Sequence, residues 1–479
     1  MNLKRWRCRS VVALVLPLVL VTLSACASFA PITPPVTQTA TATAPAEPTA
    51  PSQEEGVAPA VEEAATDATS ANAAGETATA TLLLQLDAQR LVVRSVDFAP
   101  PTTGLALLEA TGLPLTIAET SWGPAVCAVA EVGCPPEDCF CGGDIFWNYA
   151  YWDGAAWEGY PVGASQSTVN HDGALEGWRW GAWDEPTADP ARGQAAQAAL
   201  VYVAAQQQTD GSIGGASGSV EALMALGANR LDPALLRAEQ GGASLLAYVV
   251  ENAPVYSEGG AAAAGKLAVA LTAAQACLPA QALTPADYLD PDTGSLATDA
   301  GPLAWAILGS LALEQETPAT AIAALLDLAL PDGGWEWSPG WGADTNTTAL
   351  ALQALAAAGV AADEPAVGAA LQYLASAQTA TGGFGYNLDE GGRSAGDANS
   401  TAYVVQALLA WQEDPTGPRW QQPEGDPITF LLALQGTEGA LGWQTAYPDP
   451  NLLATLQAIP ALLGQSFPIR QGALPACGE

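Results

Sequence analysis

Two short segments set carboxylates, amides and hydroxyls at matched spacing: Asp344-Thr345-Asn346-Thr347-Thr348-Ala349 and Asp397-Ala398-Asn399-Ser400-Thr401-Ala402. Side chains of this kind suit two jobs. They can cap a helix by accepting the free N–H groups of its first turn, for which Asp344, Asn346, Asp397 and Asn399 are candidates. They can also hydrogen-bond a ligand. Aromatic, Gly-rich loops stand near both segments: Trp335-Glu336-Trp337 with Trp341, then Phe384-Gly385-Tyr386, and later Trp443 and Tyr447. Gathered at one mouth, Trp335, Trp337, Trp341, Asp344, Asn346, Tyr386, Asp397, Asn399, Trp443 and Tyr447 would form an apolar cup with a few polar groups, the composition of a small-molecule site. Other acids nearby (Glu258, Asp292, Asp332, Asp389, Glu390) are numerous enough for a carboxylate pair of the kind that hydrolyses glycosides. On so acidic a chain they serve equally as solvated or capping groups.

The elements that must position these residues repeat. From about Gln194 to Gly464 an aromatic or aliphatic pair is followed by Gln, then Gly four residues on, then a bulky apolar residue two further: Tyr202-Val203, Gln207, Gly211, Ile213; Tyr373-Leu374, Gln378, Gly382, Phe384; Phe430-Leu431, Gln435, Gly439, Leu441. Weaker copies surround Tyr288 and Gly294, Gly333-Gly334-Trp335, and Tyr248 with Gly259. Ala/Leu-rich stretches of helical period flank each turn, so the repeat predicts helix pairs stacked on one another. Six pairs suffice to close a ring, and the expected fold is an (α/α)6 toroid over 194–464, followed by a tail at 465–479.

This pattern resembles the stacking motif of squalene and oxidosqualene cyclases and the wider fold family that includes protein prenyltransferase β subunits and the α lobe of intrinsic factor. The resemblance implies a toroid whose function sits at the start of the inner helices. Asp344–Ala349 lines up with the cyclase Asp-x-Asp-Asp-Thr-Ala box, whose central acid protonates an alkene. Here Asn346 and Thr347 occupy the acidic positions, and Asn399 and Ser400 do so in the other copy, which argues against that chemistry. The zinc ligands of the prenyltransferases are missing, as is the Cys-x-x-Gln of thioester domains; Cys277 and Gln281 stand one residue too far apart.

Ahead of the ring, 80–184 reads as a small β-grasp-like α+β domain. Leu82–Leu86 and Leu91–Val96 predict a hairpin, Thr103–Gly112 a helix, and Phe146–Tyr151, Ala156–Pro161 and Leu175–Gly181 further strands. The segments Thr103-Gly104-Leu105-Ala106-Leu107-Leu108, Trp152-Asp153-Gly154 and Gly177-Trp178-Arg179-Trp180 resemble a surface-protein domain related to the β lobe of intrinsic factor and transcobalamin. Its aromatics, Trp152 and Trp178 among them, either fill a small core or present a stacking surface. His171, the single histidine, falls in a turn sequence, and no Gly-x-Ser-x-Gly elbow accompanies it.

The chain opens with four basic residues, an apolar run from Val11 to Leu23 and Leu23-Ser24-Ala25-Cys26. This resembles a bacterial lipoprotein signal (1–25) with Cys26 lipidated, and implies a protein exported and anchored on the outer face of the cell membrane. The Thr/Ala/Pro-rich stretch 26–79 is expected to be a disordered tether. Cys127, Cys134, Cys139, Cys141, Cys277 and Cys477 are disulfide candidates in an exported chain, with no metal site expected. A net charge of −36, from 14 basic and 50 acidic residues, repels phosphate backbones and disfavours nucleic acid as a partner. Together these features lead to a lipid-anchored, non-catalytic binding protein holding a small ligand between or on its two domains, with a corrinoid as the specific candidate. An adhesion or glycan-interaction module is the alternative, and a toroid enzyme acting on polysaccharide or isoprenoid the second alternative.

Overall fold

The structure is a computed structural model that describes residues 77–185, 187–389 and 392–472. The leader, Cys26, all but the end of the tether, Glu390 and Cys477 lie outside the described residues. The chain builds both helices and sheets. Strands β1 (Ala78–Gln85) and β2 (Leu91–Phe98) form the expected hairpin, longer by four residues at its start than the apolar run alone suggests. Helix α1 (Gly104–Ala110) begins where Thr103 accepts from Ala106 N at 3.2 Å. A three-stranded sheet of β3 (Leu115–Thr120), β4 (Gly123–Val129) and β5 (Val132–Gly133) follows, which the sequence reading passed over. Strands β6 (Ile145–Trp152), β7 (Trp157–Gly159) and β8 (Ala174–Ala182) complete a five-stranded sheet in the order β2-β1-β8-β6-β7, with β1 and β8 parallel.

Alternation along the strands separates two faces. Leu82, Leu84, Trp147 and Trp178 pack with Leu107 and Leu108 of α1 in a closed core. On the other face, Leu83, Leu91 and Val93 join the core of the helical region. Disulfides Cys127–Cys139 and Cys134–Cys141 tie the small sheet to the loop after it. Cys277 is disulfide-bonded as well.

Five outer helices, α2 (Pro190–Ala205), α4 (Leu245–Ser257), α7 (Ala319–Asp327), α9 (Pro365–Ala377) and α11 (Pro427–Ala433), alternate with inner helices. The inner ones are α3 (Gly215–Ala228), α5 (Ala261–Ala273), α6 (Ala300–Ala312), α8 (Thr345–Ala357), α10 (Ala398–Ala410) and α12 (Leu452–Leu462). At the third outer position the chain makes only a 3-10 turn, Pro285–Tyr288, matching the weak repeat there. Each inner helix packs on the next, and α12 returns against α3. Close approach depends on glycine: a Cβ on Gly265 of α5 would lie 2.1 Å from the Trp305 carbonyl oxygen of α6.

The repeated Gln is a staple between repeats. Gln207 donates to Gly211 O and Leu236 O, both at 3.0 Å, Gln378 to Gly382 O and Trp420 O, and Gln435 to Gly439 O and Ala195 O. That last bond joins the final repeat to α2 and closes the seam. The Gly carries a left-handed backbone (Gly382, φ +89°) where a side chain would meet the next outer helix. The bulky residue is buried each time, and its N–H reaches a hydroxyl of the following inner helix at 2.9 Å: Ile213 to Ser219, Trp335 to Thr348, Phe384 to Thr401, Leu441 to Thr455. The β1–β2 turn clamps the same seam, since Leu91 N bonds Leu463 O at 2.9 Å and Arg192 reaches both Gln89 O and Leu462 O.

Residues 465–472 do not trail away as the expected tail. They cross the C-terminal ends of the inner helices: Gln353 accepts from Phe467 N at 2.9 Å, and Gln471 donates to Gly227 O and Ala273 O. Phe467, 4% exposed, packs against Trp305 and Tyr403 and stops that end of the lumen.

Candidate functional site

At the opposite end, the first turns of α8, α10 and α12 and the flank of α6 surround a cavity of about 460 Å3. Helix α8 starts where it does because Asp344 caps it, accepting from Thr347 N at 2.7 Å and Thr347 Oγ1 at 2.8 Å. Asp397 caps α10 in the same way, accepting from Ser400 N and Oγ, both at 2.8 Å. An aromatic loop residue stands beside each carboxyl, Tyr386 at Asp344 and Trp443 at Asp397, and the polar group of each favours the ionised form. Burial pushes both carboxyls above the usual carboxylate range, even though these donors favour the ionised form. The site therefore holds two acids biased toward keeping their protons, 3% exposed each, in an aromatic wall.

Eight of the sequence candidates line this cavity: Trp337, Trp341, Asp344, Asn346, Tyr386, Asp397, Asn399 and Trp443. Trp335 does not. It is fully buried, with Nε1 donating to Leu325 O at 2.7 Å, and it seals the repeat as Phe384 and Ile213 do. Tyr447 stands outside the lining, exposed, with its ring 5.5 Å from that of Trp443. Trp178 belongs to the closed sheet core, stacked on Tyr149 at 4.6 Å, and Trp152 lines a separate cleft of about 470 Å3 on the other face of that sheet. Asp344 and Asp397 are caps; Asn346 and Asn399 sit inside the helices at their second residues, and Asn399 donates to Gln457 Oε1 at 2.7 Å. Glu258, Asp292 and Asp332 are exposed and apart from the cavity, so among the described residues they make no facing carboxylate pair there.

The sequence reading missed Trp305, Leu350, Tyr403, Leu453 and Gln457, all in the wall, and the hydroxyls of Thr347 and Ser400 as partners of the acids. The wall residues had a signal: Leu350, Tyr403 and Gln457 each lie two residues past the hydroxyl that receives a turn N–H.

No protein-family model matches the chain, and no curated protein sequence does. Solved structures match it. The type II terpene cyclase MstE from Scytonema is 17% identical, with 57% of this chain and 98% of that one covered and a TM-score of 0.39. A protein from Actinoplanes is 16% identical over 57% of this chain and 99% of that one, TM-score 0.37. The ent-copalyl diphosphate synthase from Streptomyces platensis is 20% identical over 51% of this chain and 50% of that one, TM-score 0.33. Terpene cyclase-like proteins are thus among the structural neighbours. Against the expectation of a non-catalytic holder of a corrinoid, the neighbours that carry an activity in their names are a terpene cyclase and a diphosphate synthase. His171, the single histidine, is exposed in the turn before β8, as its turn sequence implies.

Proposed function

We propose that the (α/α)6 ring is an isoprenoid-cyclase-like enzyme that protonates an alkene of an apolar, polyunsaturated chain held in its mouth. The observation that supports this is the pair of buried Asp carboxyls, biased toward the protonated form, in an aromatic-walled cavity. A neutral carboxylic acid shielded from water is a competent donor to a carbon–carbon double bond, and the aromatic faces of Trp337 and Trp443 favour a cation beside them.

Asp344 is the acid in this reading, although the cyclase box would place it at Asn346. Its neighbour Tyr386 is 44% exposed and can take a proton from solvent while giving one to the carboxyl. An indole N–H only donates, so Trp443 offers Asp397 no such return path. In the step, the Asp344 O–H bond breaks, the alkene π pair forms a C–H bond at one carbon, and the other carbon becomes cationic. A second alkene of the same chain closes onto the cation, and loss of a proton to water restores a double bond. The Asp344 carboxylate is then reprotonated through Tyr386.

The chain is further proposed to be exported and lipid-anchored at Cys26, with a grasp-like domain between tether and ring; the leader sequence and the disulfides support this. The experiment is incubation with squalene and with geranylgeraniol in deuterium oxide. One non-exchangeable deuterium per product molecule is expected, with product formation about 10²–10⁴-fold slower from Asp344→Asn. A chain that yields no product, or product without deuterium, overturns the reading.

A further inference from the structure

The ring carries a second set of matched positions. Two residues beyond the hydroxyls of Ser219, Thr348, Thr401 and Thr455, and at the sixth residue of α5 and α6, stand Glu221, Leu350, Tyr403, Gln457, Lys266 and Trp305, one from each inner helix. They form one collar a turn deeper than Asn346 and Asn399. On the α6–α8–α10 side it is apolar and lines the cavity. On the α12–α3–α5 side it is polar: Lys266 Nζ lies 2.5 Å from Glu221 Oε1, and Gln457 Nε2 donates to the same oxygen at 2.8 Å. Lys266 also lies over Trp305, 5.2 Å from the ring centroid, and Gln457 takes its other bond from Asn399. The network therefore ends on the cavity wall at both extremities.

Lys266 is the only lysine after Lys4. The Glu221 side chain is 5% exposed and that of Lys266 is 19% exposed. An ion pair this buried gives little net stability over apolar side chains of the same volume, so packing alone does not account for it in a lumen built of Ala and Leu. We propose that Gln457, in the cavity wall and held from behind by the Glu221–Lys266 pair, binds a neutral oxygen-bearing end, hydroxyl or carbonyl, of the chain whose alkene reaches Asp344. The inference rests on the cyclase-like reading and adds the substrate class. Neutrality follows from the charges: Glu221 already balances Lys266, and the several negative charges of a diphosphate would meet one ammonium that is spoken for.

The test is binding of geranylgeraniol, geranylgeranyl diphosphate and the hydrocarbon squalene to the full chain, read by quenching of tryptophan fluorescence. The alcohol is expected to bind about tenfold more tightly than either of the others. Gln457→Leu, which leaves the ion pair in place, should bring the alcohol to the level of squalene without changing squalene itself. Glu221→Gln combined with Lys266→Met removes both charges together, so no unpaired charge is left buried, and should do the same in part. Equal binding of alcohol and hydrocarbon by the unaltered chain, or tighter binding of the diphosphate, overturns the collar even if deuterium is incorporated. Selective, collar-dependent binding without turnover sinks the acid chemistry and leaves the collar standing. Binding of none of the three overturns both.

Discussion

On the closed face of the N-terminal sheet, Trp178 stacks on Tyr149 at 4.6 Å and Tyr149 on Tyr160 at 4.7 Å, over Glu176, which accepts from both tyrosine hydroxyls. In the ring, Trp337, Tyr386, Trp443 and Tyr403 stand around an open volume of about 460 Å3, with Asp344 and Asp397 at its edge. The two regions have the same ingredients, indoles, phenols and buried acids held above their usual range. Spacing separates them. Adjacent strands bring facing side chains to about 5 Å, close enough for rings to fill the gap between them. Six inner helices closing on themselves hold their first turns too far apart for side chains to meet across the axis, and Phe467 fills only the far end. Aromatics with an acid make a core where the backbone lets them touch, and a candidate site where it does not.

The largest separation between the regions should appear on removing the acids. Asp344→Asn keeps the cap acceptor but not the proton, and turnover should fall about 10²–10⁴-fold, the usual share of a general acid. Glu176→Gln should leave turnover unchanged and cost about 1–3 kcal/mol of stability, because one tyrosine hydroxyl loses its acceptor. Turnover measured beside urea unfolding decides the point; an Asp344→Asn chain as active as the parent would reduce the ring mouth to architecture.

Next in size is the contrast between tryptophans. Trp178→Ala opens a void in the closed core and should cost about 3–5 kcal/mol, with ligand binding by the ring unchanged. Trp443, 41% exposed, already borders a void. Trp443→Ala should cost under about 1 kcal/mol of stability while weakening binding of an apolar chain several-fold. If the two substitutions destabilise the chain equally, the distinction between filled and open faces fails.

Much of the ring could be read ahead of the structure because its repeat is written in backbone requirements. A Gln that staples two repeats, a Gly with positive φ and a buried bulky residue recur at fixed spacing at three of the turns, Gln207, Gln378 and Gln435. The same repeat, applied to the aromatics, separates Trp335 from Trp337: Trp335 falls where Phe384 and Ile213 fall, in the seal, whereas Trp337 packs over Gly301 and reaches the cavity. Treating the loop as one aromatic cluster hid that difference. The collar was legible only in part, since Glu221, Leu350, Tyr403 and Gln457 each follow a repeated hydroxyl by two residues whereas Lys266 and Trp305 have no such hydroxyl ahead of them. The stopper at 465–472 was not legible: its Gln465-Ser466-Phe467 has no helical or strand period and is fixed by Ala228 O, the Gln353 side chain and the rings of Trp305 and Tyr403 in a ring of helices already closed. The β3–β4 hairpin was legible, since Leu115 and Ile117 alternate with Thr116 and Ala118 and β4 ends in the apolar run 125–129, and it was passed over.

The smallest effect expected is on stability against pH, and here the two regions should act together. Burial raises the carboxyls of Glu176, Asp344 and Asp397 in the folded chain, while in the unfolded chain they titrate near the ordinary value of about 4. The folded state therefore holds these protons more tightly, and the stability they contribute is complete below the unfolded pKa and is lost as pH rises through the folded values. Repulsion within a chain of net charge −36 slopes the same way, so the two causes need separating. Salt near 1 M shortens the screening length to about 3 Å and silences exposed charges, but it barely reaches buried ones. Urea midpoints between pH 4 and 8 in 1 M salt should still decline, and the decline should flatten when Glu176→Gln, Asp344→Asn and Asp397→Asn are combined. A parent chain whose midpoint is level across that range in high salt would mean that neither the closed core nor the open mouth holds its acids in the protonated form, and would remove the premise on which Asp344 is assigned.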